Sequence, residues 1–286
     1  MAEEYRIISL ADTGIDEILD AFQKAFCDYA VNFDRAQIEA MLERRGFNPV
    51  LSYAALVDGQ IAAFTLNGTG EYDGSATCYD CGTGTRPEYR GNGLAGMIFR
   101  HSVPLLRQAG IRQYLLEVLQ DNAPAISIYK ANGFSISARY NCYNQTVGEL
   151  RLDRSKSIEI EIQQTDCNTV RNLQGFCDFK PSWQNDIESI ERGAARLNMT
   201  AAYHAGQAVG YCVSDPQSGD IAQIAVAEPF RRKGIATGLL ANAVKQFSSK
   251  TIKILNVDSD NRSLPAFLHA VNIADGLSQY AMINKL

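Results

Sequence analysis

The sequence predicts a mixed α/β fold written twice: two tandem domains, each a mostly antiparallel sheet flanked by helices. Three observations carry this. The chain has 286 residues, long for one domain and comfortable for two with a core each. "YRGNGLAGMIFRHSVPLL" at 89 recurs at 230 as "FRRKGIATGLLANAVKQF", with Arg90 on Arg231, Gly93 on Gly234, Leu94 on Ile235 and Ala95 on Ala236, an offset of 141. "LEVLQDNAPAISIYKANGF" pairs with "LNVDSDNRSLPAFLHAVNI" when Asn122 is set on Asn261, an offset of 139. Two landmarks at nearly one spacing mark an internal repeat.

The elements follow in order. "DEILDAFQKAF" and "DRAQIEAMLERR" repeat apolar residues at helical spacing, each opened by an Asp suited to capping. "VLSYAALVDGQIAAFTL" is two apolar runs around Asp58-Gly59, a hairpin signal. "ATCYDCGTGTRP" reads as a strand running into Pro87, and a helix spans about 93–108, ending near Gly110. "RQYLLEVL" is a buried strand, "APAISIYKANG" a helix closed by Gly133, and two tyrosine-rich strands complete the unit. The second half repeats the order: "TVRNLQGF", "WQNDIESIERGA", "MTAAYHAGQAVGYCV", "GDIAQIAVAEPF", a helix at 234–249, "TIKILNV", a helix at 262–271 and "LSQYAMIN". The polar run "DRSKS" places the junction between domains 1–152 and 153–286.

Composition narrows function. The chain is 46% hydrophobic and 21% charged, an ordinary globular balance. A net charge of −5 argues against nucleic acid and slightly favours cationic or amine partners. No run reaches the roughly 18 apolar residues of a membrane span, and the acidic N-terminus lacks a signal-peptide core. Cys27, Cys78, Cys81, Cys142, Cys167, Cys177 and Cys212 read as reduced thiols of a cytoplasmic protein. Cys78 and Cys81 form a lone CxxC without a second pair, so no metal is expected.

Gly91, Gly93 and Gly96 match GxGxxG, the dinucleotide fingerprint. The second copy carries Arg232 and Thr237 where Gly91 and Gly96 stand, so what recurs is Arg-x-x-Gly-x-Ala. A nicotinamide-dependent oxidoreductase is thereby disfavoured, and no Gly-Lys-Ser/Thr follows for a nucleoside triphosphate. Between strand and helix the recurring motif still has a physical meaning. A helix start presents unpaired N–H groups and a positive dipole end, small residues admit a pyrophosphate, and arginine adds charge.

Both halves resemble the GNAT superfamily of acetyl-CoA-dependent acyltransferases, whose signature is Gln/Arg-x-x-Gly-x-Gly/Ala. The likeness covers nearly the whole chain. It is strongest at 76–143, which is similar to N-terminal amine acetyltransferases of the ribosomal-protein alanine type. The resemblance implies that Arg90, Gly91, Asn92, Gly93, Leu94, Ala95 and Gly96 hold the pyrophosphate of coenzyme A. It implies that Thr83, Gly84 and Thr85 pair with the pantetheine arm and offer oxyanion donors, with Gly84 forming a bulge, while Asn122 meets the arm from the other side. Arg231, Lys233, Gly234 and Ala236 are the matching cradle of the second half.

Acetyl transfer needs a base for the amine and an acid for the thiolate. Tyr129, in the string N-x-x-A-x-x-x-Y-x-x-x-G-F at 122–134, matches the family's thiolate-protonating tyrosine; its alternative is a core tyrosine. Glu117 is an acid in an otherwise apolar strand, and by the resemblance it is the base, or else a positioning group. The repeat register sets Asn256 and Leu268 at these two positions in the second half, and His269 points about 100 degrees away. Domain 1 is therefore expected to catalyse transfer to a small-molecule or peptide amine. Domain 2 is structural, binds coenzyme A idly or walls the acceptor pocket. The competing reading is a non-catalytic coenzyme A-binding module. "FCDYAVNF" at 26–33, with Asp28, either greets the amine or is a junction of core aromatics, and "RYNCYN" at 139–144 reads as strand packing. A monomer is expected, since a fused pair mimics a dimer.

Overall fold

The computed structural model describes residues 5–28, 34–153 and 158–286. It divides into two compact units, Met1–Ser137 with Ala281–Leu286, and Ala138–Tyr280.

The first unit runs β1 (Arg6–Ser9), α1 (Ile15–Ala25), α2 (Arg35–Arg45), β2 (Tyr53–Val57), β3 (Gln60–Tyr72), β4 (Ser75–Thr85), α3 (Leu94–Gln108), β5 (Gln113–Leu119) and α4 (Ala123–Ala131). Strands β1 to β4 form an antiparallel meander, and β5 joins β4 in parallel. The β2–β3 turn is the expected Asp58-Gly59, both at positive φ (48° and 76°). Helix α2 is capped as foreseen: Gln37 N donates to Asp34 Oδ1 and Asp34 N donates to Gln37 Oε1, each at 2.9 Å. Helix α1 differs. It starts from Gly14 with no side-chain cap, and Asp16 lies in its first turn instead. There an acid still favours the helix by meeting its positive dipole end.

Alternation along the strands sorts two faces. Ala63 packs with Leu94 and Ile98 of α3, while its neighbour Phe64 stacks on Phe22 of α1 at 5.9 Å. The end of α2 lies close on β3 because Gly68 is bare: a Cβ there would stand 2.0 Å from the Arg45 carbonyl oxygen.

Strand β6 (Ser135–Thr146) is one strand where two were expected. It enters the second unit at Ala138. That unit continues with β7 (Glu161–Gln164), α5 (Cys167–Asn172), α6 (Ile187–Arg192), β8 (Asn198–His204), β9 (Gln207–Asp215), β10 (Asp220–Val226), α7 (Ile235–Val244), β11 (Thr251–Asp258), α8 (Ser263–Ala270) and β12 (Ala274–Lys285). Helix α7 ends at Val244, short of the expected 249. Strands β7 to β10 are an antiparallel meander, β11 joins β10 in parallel, and β6 pairs antiparallel with β11 from Tyr140↔Asp258 to Thr146↔Thr251. Helix α7 packs on one face through Ile235, Leu239 and Leu240, whereas Val170 and Ile190 of α5 and α6 pack on the other with Met199, Tyr211 and Val213.

The closing strands are exchanged between the units. Residues 138–152 follow the first helix set yet pack in the second core, where Tyr143 is buried and Val147, Leu150 and Leu152 flank it. The chain's last residues return to the first unit: Leu286 N donates to the Arg112 carbonyl and Asn284 Nδ2 to the Asn132 carbonyl. Met282, 0% exposed, is the buried anchor of this returning segment. Met282→Ala is expected to cost about 2–5 kcal/mol. A thermal-unfolding midpoint equal to that of the parent would show that the returning strand does not support the first unit.

Candidate active site

In each unit the parallel pair of strands opens into a fork. β4 and β5 pair at Thr77↔Gln113, Cys78↔Tyr114 and Tyr79↔Leu115, where the ladder ends; β10 and β11 pair at Asp220↔Lys253. Next to each fork lies a bulge. The β3–β4 register passes from Asn67↔Asp80 to Leu66↔Gly82, leaving Cys81 as the extra residue. The β9–β10 register passes from Ile221↔Ser214 to Gln223↔Val213, leaving Ala222, which is Cys81 plus the repeat offset. The bulge is thus three residues earlier than the expected Gly84. Gly84 is a glycine for packing: a Cβ would stand 2.6 Å from Phe64 and 2.9 Å from Ala25.

The glycine loop follows β4. Gly91 and Gly93 hold positive φ (81° and 72°), and Gly93 begins α3 with no side-chain cap, so the amides of its first turn are left for another partner. Added Cβ atoms at Gly91 or Gly93 would meet nothing within 4 Å. The second copy keeps this backbone with poorer residues. Gly234 has φ 78° and likewise lacks a side-chain cap, while Arg232 is driven to φ 62° where the first copy has Gly91.

The two arginines of the motif do something the sequence did not suggest. Arg90 donates from Nε to the Thr85 carbonyl at 3.2 Å and from Nη2 to the Ala25 carbonyl at 2.9 Å, and it pairs with Asp28 at 2.5 Å. Arg231 donates from Nε to the Val226 carbonyl at 3.0 Å and from Nη2 to the Phe176 carbonyl at 3.3 Å, and it pairs with Asp178 at 2.7 Å. Each therefore ties the loop to its own strand end and to the chain at or just after a helix: Ala25 ends α1, and Phe176 lies in the short turn that follows α5. The guanidinium holds the loop in place, and its ion pair keeps the Asp28 carboxyl below the usual range. Asp28 belongs to that tie; residues 29–33 of the aromatic stretch lie outside the described residues. Lys233 rests its ammonium on the Phe230 ring at 5.1 Å.

Glu117 lies on β5 past the last paired residue and accepts a 3.1 Å hydrogen bond from the Tyr79 hydroxyl. Burial and the neighbouring carboxylate push the Tyr79 phenol well above its ordinary range, so it stays a donor. Tyr129 on α4 is half-buried, its ring 5.7 Å edge-on to Phe134, which in turn meets Tyr114 at 5.6 Å. Asn122 caps α4 by accepting from Ala125 N at 3.2 Å, and Asn261 does the same from Leu264 N at 2.9 Å. The repeat register is also kept at the helix ends: Phe134 N donates to the Tyr129 carbonyl, and Ile273 N to the Leu268 carbonyl. Leu268 is 1% exposed and part of the core; Asn256 is buried at φ 58° and donates to Ser182 Oγ at 3.2 Å. His269 pairs with Asp275 at 3.0 Å.

A cavity of about 920 Å³ occupies the second unit, lined among others by Ile221 to Val226, Arg231, Gly234, Ala236 and Phe267. Its position along β10 and at the start of α7 is that of the fork and loop. Cys78 and Cys81 are buried, and among the described residues no three His, Cys, Asp or Glu side chains gather as a metal site. No helix among them is long and apolar enough to cross a membrane.

One further polar residue stands at the first fork. Asp80 sits immediately after the last β4 residue paired with β5, and burial raises its carboxyl to about 6. Its only sequence signal was an acid inside "ATCYDCGTG". Its pKa is raised on folding, so its charge disfavours the native state above about pH 6 and is without effect below about 4. Asp80→Asn is expected to gain stability relative to the parent as pH rises from 4 to 7, by up to about 3 kcal/mol. Denaturant unfolding at both pH values measures this, and a difference constant with pH contradicts it.

Sequence matches to the acetyltransferase (GNAT) family cover residues 15–134 and 166–270. The chain belongs to that family as two copies in tandem and is an acyltransferase. The streptothricin acetyltransferase of Streptomyces lavendulae is 32% identical over 78 residues, which make up 27% of this chain and 40% of that one. Among solved structures, a tandem GNAT protein from the clavulanic acid biosynthesis pathway aligns over 99% of this chain and 98% of its own, with TM-score 0.72 and 13% identity. A GCN5-related N-acetyltransferase from Sphaerobacter thermophilus aligns over 99% and 95%, with TM-score 0.71 and 14% identity. At such identity the structural likeness is one of fold.

Proposed function

We propose that the first unit transfers an acetyl group from acetyl-CoA to the primary amine of a small molecule or peptide, by direct attack on the thioester. The observation that carries this reading is the paired difference between the forks. The first has Glu117 hydrogen-bonded to Tyr79, with Tyr129 half-buried on the following helix. The second has buried Asn256 and Leu268 at the same repeat positions.

In this reading the amides at Gly91 to Gly96 take the pyrophosphate, and Thr83 to Thr85 lie along the arm, whose backbone N–H groups serve the oxyanion. Glu117 receives the proton of the attacking amine, directly or through water. Tyr129 gives its phenolic proton to the departing thiolate. The family membership and the partial likeness to streptothricin acetyltransferase support an amine acceptor. The similarity of 76–143 to ribosomal-protein alanine acetyltransferases supports a peptide α-amine among the candidates. The second unit is a non-catalytic coenzyme A site; the cavity lined by Gly234 and Ala236 favours this over a purely structural role. The protein acts as a cytoplasmic monomer.

Thiol release from acetyl-CoA is measured against L-lysine, spermidine, glucosamine and an alanine-initiated peptide. Release is expected with at least one amine. Tyr129→Phe and Glu117→Gln each lower kcat by about 100-fold or more. Arg231→Ala leaves release in place; if that change alone abolishes it, the two units have been assigned the wrong way round.

A further inference from the structure

The bulge at Cys81 has a chemical consequence. In a regular strand, residues three apart face opposite sides; one inserted residue brings 80 and 83 onto the same side. There Thr83 Oγ1 donates to Asp80 Oδ2 at 2.8 Å. The other carboxyl oxygen, Asp80 Oδ1, is sealed from solvent and makes no hydrogen bond. Leaving such an oxygen bare is costly, so the residue needs a reason beyond packing.

The second unit supplies the comparison. Its bulge at Ala222 is in the same place, and the two flanking residues that correspond to Asp80 and Thr83 are Ile221 and Ile224. Both line the cavity beside the glycine loop. Ile224, the counterpart of Thr83, is partly exposed there, Ile221 stands fully buried behind it, and the polar pair has been exchanged as a pair for an apolar one. Thr83 lies between the fork and the loop, the stretch that the arm of a coenzyme A thioester would follow.

We propose that Asp80 is a positioning residue that holds the Thr83 hydroxyl as a hydrogen-bond acceptor for an amide N–H of the thioester's arm. The inference rests on the proposed use of the first unit as the thioester site. A hydroxyl has one proton and two lone pairs. Ionised Asp80 engages the proton. Thr83 Oγ1 also lies 3.3 Å from the Thr65 hydroxyl, within reach to donate to it; with its one proton committed to Asp80 at 2.8 Å, both its lone pairs remain to accept, one from Thr65 and the other from the ligand. Protonated Asp80 donates instead, and Thr83 then turns its own proton outward against an N–H.

The titratable and charged groups facing Asp80 are the Arg45 guanidinium from α2, Cys78 on β4 and the Tyr114 phenol from β5. Cys78 and Tyr114 are pushed well above their ordinary ranges by burial and stay neutral, while burial raises Asp80 to about 6, so its carboxyl changes charge near neutrality. Binding of the thioester should therefore tighten as pH rises through about 6.

The test measures KM for acetyl-CoA between pH 5 and 7.5 at saturating amine. The proteins are the full chain, Thr83→Val, Asp80→Asn, the double variant of these two, and Asp80→Ile/Thr83→Ile, the pair that the second unit carries at its own bulge. In the parent, KM should fall about fivefold from pH 5 to 7. In every variant it should lose its dependence on pH, and in the variants that remove the Thr83 hydroxyl it should stay at the higher value, with KM for the amine unchanged. The Val/Asn double variant should match Thr83→Val, because the pair acts as a unit. A pH-dependent KM that survives Thr83→Val, or single effects that multiply in the double variant, overturns the proposal. A parent that releases no thiol with any amine refutes the proposed activity instead. The same pH series is then read by calorimetric titration with coenzyme A, where a slope unaffected by Thr83→Val again overturns the dyad.

Discussion

The geometry of both forks depends on one extra residue in one strand. A bulge at Cys81, and its twin at Ala222, adds a residue to the strand that leads into the glycine loop. Bulges increase local twist and re-aim side chains. Here each sits just past the last residue paired with the parallel neighbour, so the strands diverge where the bulge begins. A sheet that stayed paired would leave no gap between β4 and β5 for a ligand.

Each motif arginine secures that gap from outside. Arg90 and Arg231 make the same three kinds of contact: the carbonyl of the strand's last residue, a carbonyl at the end of α1 or in the turn after α5, and an aspartate two or three residues beyond it. The loop's open amides can serve an anion only while the loop keeps its shape, and a rigid guanidinium fork suits that task better than a flexible ammonium. The motif's charge is thus used within the protein, and in the proposed reading attraction for phosphate falls to the backbone and helix dipole.

Much of this architecture was legible in the residues. Repeat spacing, the Asp58-Gly59 turn, the Asp34 cap and the loop glycines are local signals, and the structure carries each of them. Three features were not legible, for physical reasons. The exchange of closing strands is decided by which core buries Tyr143 and which buries Met282, and periodicity within a strand is blind to its partner. The bulge falls at Cys81 and not at the Gly84 that the sequence suggested, and its twin at Ala222 has no glycine beside it. The use of Arg90 depends on Asp28 and Ala25, more than sixty residues away in sequence.

Comparison of the two copies separates what the backbone needs from what chemistry needs. The second unit keeps the bulge, the uncapped helix start and the arginine tie, tolerating Arg232 at a φ better suited to glycine. Holding a non-glycine residue in that region costs about 1 kcal/mol or more, so the loop conformation is retained against its local preference. The polar side chains at the fork fare differently. Asp80, Thr83 and Tyr129 give way to Ile221, Ile224 and Leu268, and Ile221 and Leu268 are almost wholly buried. Replacing hydrogen-bonded or charged groups with aliphatic ones removes desolvation penalties and strengthens a core. The first unit retains the less favourable set, including a carboxyl oxygen sealed without a partner. A fold that demonstrably accommodates the apolar alternative at these positions has no structural need for the polar one, which makes the first fork the place to look for the chemistry.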